Sequence, residues 1–577
     1  MAKELTSLVD SIEGLRLADE TTKWTGSASS CPSPTQQALV EAIRTLIQSC
    51  EATSAHAQLE SLAESTHTPS GQDIAKLSSL RRKVTALARI AETFSDATER
   101  YIIAYITSLA GPGTLVRKML SHFHNKLRSI ARDVLNSTSD DSNVLREILE
   151  ICYNQALHTS GTLHSDDYFI PLGEASLEWP YDPDFESEEY YEHEERLAVD
   201  DGYAEVFRVR CERKSEKERQ QREEWIRFWV QALNKCPDGP TLFYPPASRL
   251  PQCHLADVPR YLFRAFDDGS SGRSDHYIVA SMESISATSG RSRVDLFSRT
   301  EEEATAMLHG HLTKSCFKGD DADNLMSWSS SLLFVIQYAI WRCHQRGCDP
   351  SEIEICMVDT RKFPRGQFAR DMSLLRAYRE APGLNESMRK FFDFRLGNAI
   401  YDNGEYLSQG VLHHAGRSSM ASLAQLIRAG LHNLYHEFAD PAAMGLWTNR
   451  VRDLRLRWAI ERTTTQLEIQ TAVEMARACF NRFDASDIAL LLLSFKNRKL
   501  RALPTIGMFQ ISKVTIAKRG FSKAQERRRN PNDGGPDEVQ RYMTIAETMM
   551  PRDRDGWNAI RWFSSTSQLL EEVLECS

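Results

Sequence analysis

Residues 326–341 read MSWSSSLLFVIQYAIW, and this stretch decides the fold class. Met326–Ser331 is short and strand-like, and it runs directly into Leu332–Trp341, an apolar helical stretch. The serines between them suit a helix N-cap, because their hydroxyls satisfy backbone N–H groups that the first turn leaves unpaired. Working outward, the alternation repeats. Tyr261–Leu262–Phe263–Arg264–Ala265–Phe266 is a strand candidate, and Glu301–His311 a helix. Ile353–Val358 is the clearest strand, Tyr406–Leu412 is another, and Met420–Leu434 reads as a helix. Strands interleaved with helices over residues 255–440 predict a mixed α/β domain. With helical segments on both sides of it, the fold class expected for the chain is α+β.

The flanks follow from periodicity and charge. Residues 1–35 are small and polar and read as a flexible tail. Residues 36–160 read as a helical bundle, in which Leu77, Leu80, Val84, Leu87, Ala91, Phe94, Thr98, Tyr101 and Tyr105 advance by threes and fours. Such a seam packs on neighbouring bundle helices or joins a second copy. Residues 161–250 read as an acidic linker and a charged helix. Asp182 to Asp201 crowd acids around Tyr181, Tyr190 and Tyr191, as a solvated connector or a strip for a basic partner. Glu212–Glu224 then meets Trp225, Phe228 and Trp229, an apolar end expected to pack on the next domain. Residues 441–577 read as a helical C-terminal region: Leu454–Arg477, Ile488–Phe495 and Ile560–Leu574. Its basic loop from Lys513 to Arg529 is an exposed loop, a nuclear address or a polyanion contact.

Bulk properties exclude several classes. The chain has 577 residues, a net charge of −9 and a pI near 6.0, so nothing global argues for a nucleic-acid partner. The notable apolar run Ile488–Leu493 spans six residues, against the ~20 that a membrane helix needs. Met1–Glu20 carries Glu4, Asp10, Glu13, Asp19 and Glu20 and has no apolar centre, unlike a signal peptide. An intracellular protein, cytoplasmic or nuclear, is therefore expected, with its twelve cysteines as thiols. Cys343, His344 and Cys348 lack a second spaced pair, so no metal site is expected. There is no Walker loop, Gly-x-Gly-x-x-Gly or His-Glu-x-x-His.

Three fragments of the middle domain carry the chemistry: Tyr261–Asp267 around Arg264, Leu325–Ser331 around Ser327, Trp328 and Ser329, and Asp402–Ser408 around Glu405 and Tyr406. In this order they resemble the Arg, Ser-x-Ser and Glu strands of the ADP-ribosyltransferase fold, in its enterotoxin-like branch. The stretch is also similar to an uncharacterised fungal domain family of unknown function that carries the string Gly404–Glu405–Tyr406–Leu407–Ser408–Gln409–Gly410. The first resemblance implies NAD as substrate. Arg264 would grip its pyrophosphate with a planar fork of donors. Ser327 or Ser329 would hold the nicotinamide ribose and brace the strands, and Trp328 or Tyr406 would pack on the nicotinamide ring. Glu405 would be the catalytic carboxylate, stabilising the cation left as nicotinamide departs.

One position departs from that branch. Its arginine-modifying members carry a second Glu two residues before the catalytic one, and here that residue is Asn403. An amide is no carboxylate base, which removes the argument for arginine as acceptor. The expected function is thus ADP-ribosyl transfer to another acceptor or NAD glycohydrolysis. The alternative is a non-catalytic scaffold whose helical segments bind a protein partner and whose middle domain is a pseudoenzyme, with or without NAD.

Overall fold

In the computed structural model, the described residues are 71–137, 143–169, 188–236, 239–246, 248–249, 258–286, 290–313, 323–500 and 535–549. The expected tail, residues 36–70 of the expected bundle, the basic loop and the last helix at Ile560–Leu574 lie outside them. The chain forms two compact units, Met1–Ser108 and Leu109–Ser577. Among the described residues no helix is long and apolar enough to cross a membrane.

In the first unit the described part is one helix, α1 (Gly71–Ser108), which covers the stretch spaced by threes and fours. The second unit opens with α2 (Leu115–His122), α3 (His124–Ser137) and α4 (Val144–Leu157). Two more helices follow, α5 (Glu188–Val199) and α6 (Asp201–Lys235). The acidic stretch expected as a connector is therefore helical from Glu188 onward. It is rich in Glu and lacks Gly and Pro until Gly202, so its helix propensity is high. The apolar end of α6 packs on the helices before it, while its last residues also meet the next domain, where Arg293 donates to the Cys236 carbonyl at 2.8 Å. Trp225 stacks on Phe123 with ring centroids 5.7 Å apart and donates its indole N–H to the Leu163 carbonyl at 3.0 Å. The inner faces of α2–α4, with Phe123, Leu127, Leu149 and Cys152 fully buried, need a cover, and Trp225, Trp229 and Leu233 are buried with them.

The middle of the unit is α+β. Its strands are β1 (Tyr261–Phe266), β2 (Arg273–Ser274), β3 (Ile278–Ala280), β4 (Leu325–Ser329), β5 (Glu354–Asp359), β6 (Ala369–Arg370), β7 (Glu405–Gln409), β8 (Val411–His413) and β9 (Ser418–Ser422). They make a six-stranded antiparallel sheet, β6-β7-β4-β1-β5-β9, and a three-stranded one, β2-β3-β8. The helix that follows β4 directly, α8 (Leu332–Arg346), comes after α7 (Glu301–Thr313) in the chain. Ser331 caps α8 by accepting the Phe334 N–H at 3.0 Å, and Gly347, at φ 62°, ends it. Leu333 and Ile336 of α8 share one buried cluster with Phe263, Ile355 and Met357 of β1 and β5.

Three elements differ from the periodicity reading, each for a local reason. The run Tyr406–Leu412 is two strands in different sheets, because Gly410 at φ 68° turns the chain between them. A Cβ there would meet the Thr241 hydroxyl at 2.5 Å, so glycine is required. Met420 lies in the middle of the edge strand β9 rather than opening a helix. Ser422 then starts α11 (Leu423–Arg428), downstream of α9 (Asp371–Tyr378) and α10 (Glu386–Gly397), through a capping box with Gln425. Leu454–Arg477 breaks into α12 (Thr448–Trp458) and α13 (Gln466–Cys479). Between them Arg462–Thr464 pairs in parallel with Arg498–Leu500, and Thr465 caps the restart.

The feature that makes a site is a split in the main sheet. β1 pairs with β5 at six positions from Tyr261 to Phe266, and β4 with β7 at five, but β1 meets β4 at the single pair Phe263↔Ser329. Beyond that bridge the halves β6-β7-β4 and β1-β5-β9 have no ladder between them. The start of the last described helix, α14 (Asp537–Met549), docks nearby. Its buried Glu538 accepts from Ser331 and receives Arg455 in a fork at 2.9 and 3.1 Å.

Candidate functional site

Arg264 lies on β1 where the ladder to β4 has ended. Its Nη1 reaches across and donates to the Ser327 carbonyl at 2.8 Å. Its Nε is sealed from solvent and has no hydrogen-bond partner. Among the described residues no carboxylate forms an ion pair with it. Burial pulls its pKa below the usual arginine value, with the nearby Tyr338 acting in the opposite sense. An unpaired, desolvated guanidinium is costly to keep, and a bound anion is what relieves such a cost.

On the other side of the gap, Ser327 Oγ donates to Glu405 Oε1 at 2.7 Å. Ser327 and Glu405 share a face, since β4 and β7 pair antiparallel with Ser327 opposite Leu407 and Ser329 opposite Glu405. Glu405 Oε2 receives Arg395 Nη2 from α10 at 3.2 Å, and the same Arg395 is paired with the buried Asp371 at the start of α9. Burial works against charge on Arg395, but Asp371 and Glu405 outweigh it and raise its pKa. Burial raises the pKa of Asp371, which Arg395 opposes and Glu405 and Asp402 reinforce.

Behind Ser327 stands a histidine. His311 Nε2 lies 2.8 Å from Ser327 Oγ, and its Nδ1 lies 2.8 Å from Asp323 Oδ2. His311 is 2% exposed. Asp323 is fixed in turn, because its other oxygen accepts the Leu325 N–H at 2.8 Å as β4 begins.

The structure therefore brings Arg264, Ser327 and Glu405 into one hydrogen-bonded neighbourhood. Ser329 is near but committed: its Oγ donates to the Asn403 carbonyl at 2.7 Å and accepts the Ser331 N–H at 3.0 Å, bracing the loop before Glu405. Trp328 and Tyr406 face each other across β4 and β7 on the opposite side of the sheet. Both are buried in a cluster with Leu262, Cys356 and Phe368, and the Trp328 indole donates to Ser408 Oγ at 2.9 Å. Neither ring is brought beside the Glu405 carboxylate, because alternation along a strand sends neighbours to opposite faces. Asn403 Oδ1 accepts from Arg455 Nη1 at 3.4 Å.

The loop that delivers Glu405 depends on Gly404, at φ 65°. A Cβ there would meet the Ser330 hydroxyl at 2.1 Å and the ring of Pro536 at 3.1 Å. Gly404→Ala is expected to lower stability by about 1–3 kcal/mol, read as a drop in Tm. An unchanged Tm would show that the loop tolerates another path.

Sequence reasoning missed His311, Asp323 and Arg395. His311 and Asp323 flank a 12-residue separation with no motif spacing, and Arg395 sits on an amphipathic helix like any surface arginine. Only the fold brings them to Ser327 and Glu405.

Together these features define a class: an α+β protein whose antiparallel sheet is split, with a basic group on one lip and a hydroxyl–carboxylate pair on the other. Residues 257–407 match the family described as Domain of unknown function (DUF7587). That match begins just before β1 and ends inside β7, so it encloses Arg264, His311, Asp323, Ser327, Arg395 and Glu405. No curated protein and no solved structure matches the chain.

Proposed function

We propose that the split sheet binds NAD and cleaves its nicotinamide–ribose bond, as an ADP-ribosyltransferase or an NAD glycohydrolase. The observation that carries this reading is the unpaired Arg264 guanidinium, one hydrogen bond away from the Ser327–Glu405 pair. Pyrophosphate is a dianion with oxygens spaced for such a fork. Ser327 and Glu405 hold ribose hydroxyls, and the Glu405 carboxylate stabilises positive charge as the glycosidic bond breaks. Arg395 holds that carboxylate in place through Oε2. Trp328 and Tyr406 take no part, since their rings serve the core. With Asn403 in place of a second carboxylate, arginine is not the acceptor.

The test is nicotinamide release from labelled NAD by the full chain, beside Glu405→Ala. Release that disappears in the variant supports the reading. NAD binding without turnover would make the domain a nucleotide-binding module, and absence of both binding and release would leave the scaffold alternative.

A further inference from the structure

We infer that Arg455 and Glu538 are positioning residues for Glu405, so that a strap from the C-terminal region, outside the matched family domain, completes the NAD-cleaving site. The chemistry rests on the NAD-cleaving reading; the strap itself rests on geometry.

Glu405 is presented by the loop Asp402–Asn403–Gly404, between a 3-10 turn and β7. On the β4 side, Ser329 Oγ donates to the Asn403 carbonyl at 2.7 Å and the Ser330 N–H to the Gly404 carbonyl at 2.8 Å. On the C-terminal side stands Arg455 of α12. Its Nη1 donates to the Asp402 carbonyl at 3.0 Å and, in a longer contact of 3.4 Å, to Asn403 Oδ1. Its Nε and Nη2 are committed to the Glu538 carboxylate at 3.1 and 2.9 Å. Glu538 in turn accepts from the Ser331 hydroxyl, on the segment that carries Ser327. Pro536 lies against the same loop, where a Cβ on Gly404 would meet its ring at 3.1 Å. One clamp thus spans the two segments that bring Ser327 and Glu405 together.

A buried ion pair is often only part of a core. This one adds something else, because α14 is anchored without it. Arg541 donates to the Ser494 and Phe495 carbonyls at 2.8 Å each, and the Tyr542 hydroxyl donates to the buried Asp487. Glu538 sits in the first turn of α14, where the helix meets the loop, and its contacts go to the clamp. Burial opposes charge on Glu538, but Arg455 outweighs it and holds its pKa below the usual glutamate value. The fork that fixes the Arg455 guanidinium therefore fixes the donor to the loop. Both residues lie beyond 407, where the family match ends. Residues 257–407 hold Arg264, Ser327 and Glu405, but not the clamp that sets the last of them in place. Misplacing a reacting group by about 1 Å costs about 10²-fold in rate. Arg264, on the other lip, keeps its hold on pyrophosphate, so the loss falls on kcat rather than KM.

The experiment has two arms, both on the full chain with Arg455→Lys and Glu538→Gln. Lysine keeps a cation opposite Glu538 but puts one nitrogen where three were spread, so the loop loses its donor. Glutamine still accepts from Ser331 but removes the charge that fixes Arg455. In the first arm, hydrogen exchange read by mass spectrometry compares residues 399–408 with the bundle α2–α4. Exchange is expected to speed up at 399–408 in both variants, with the bundle unchanged. No change at 399–408 overturns the strap, and so does equal acceleration everywhere, which would make the pair a support of the whole fold. In the second arm, kcat for nicotinamide release is expected to fall by about 10-fold or more in both variants, with KM for NAD little changed. Wild-type kcat in both variants, or a loss confined to KM, overturns the positioning role. A wild-type protein that releases no nicotinamide sinks the NAD reading instead, and the exchange arm then decides the strap alone.

Discussion

Glu405→Gln is expected to reduce nicotinamide release by about 10²–10³-fold, the usual cost of removing one preorganised charge-stabilising group, while the protein stays folded. The amide is isosteric and its oxygen still accepts from Ser327 Oγ, so the β4–β7 register is undisturbed. Arg395 loses one partner but keeps Asp371, so no cation is left unpaired. On the proposed NAD-cleaving reading, what disappears is a negative charge beside the anomeric carbon as positive charge develops there. Rate and Tm should therefore separate. A variant that loses activity only because it melts would show both falling together, and full activity would remove Glu405 from the chemistry.

The second large effect is at Arg264. Arg264→Met is expected to weaken NAD binding by about 10²-fold, since a charge-assisted fork contributes roughly 1.5–3 kcal/mol. Stability should move the other way. Among the described residues no carboxylate forms an ion pair with the guanidinium, its Nε has no hydrogen-bond partner and burial depresses its pKa. Replacing buried ionic groups by apolar side chains of similar volume is often neutral or stabilising by about 1–4 kcal/mol. The Ser327 carbonyl loses a donor in the same change, which offsets part of the gain at about 1 kcal/mol. The net expectation is an unchanged or raised Tm with binding lost, measured by thermal melts and titration calorimetry. A protein clearly destabilised by the substitution would mean that Arg264 is held for structure rather than for a ligand.

The parts of this architecture that the sequence displays are those written in nearest neighbours. The strand at Tyr261–Phe266, the strand entering α8 and the strand ending at Asp359 all show as short apolar runs with clear boundaries, and Ser331 shows as a cap. The parts it hides depend on glycine geometry or on contacts across the fold. Gly410 splits one apolar run into two strands of different sheets, and Ser422 and Thr465 restart helices inside runs whose apolar spacing continues. At the site, Arg264, Ser327 and Glu405 stand out because each lies in a phrase with neighbours of a known pattern. His311, Asp323 and Arg395 do not, since their significance is a distance to Ser327 or Glu405 and nothing in their own surroundings marks it. Trp328 and Tyr406 are the converse case. An aromatic beside a site residue in sequence lies on the other face of a strand, and the core takes it.

The most direct measurement is a crystal structure of the protein with a non-hydrolysable NAD analogue. Pyrophosphate oxygens are expected within about 3 Å of the Arg264 guanidinium, and the anomeric carbon beside Glu405 between β1 and β4. An analogue bound elsewhere, or a gap that stays closed around Arg264 at saturating ligand, would contradict it.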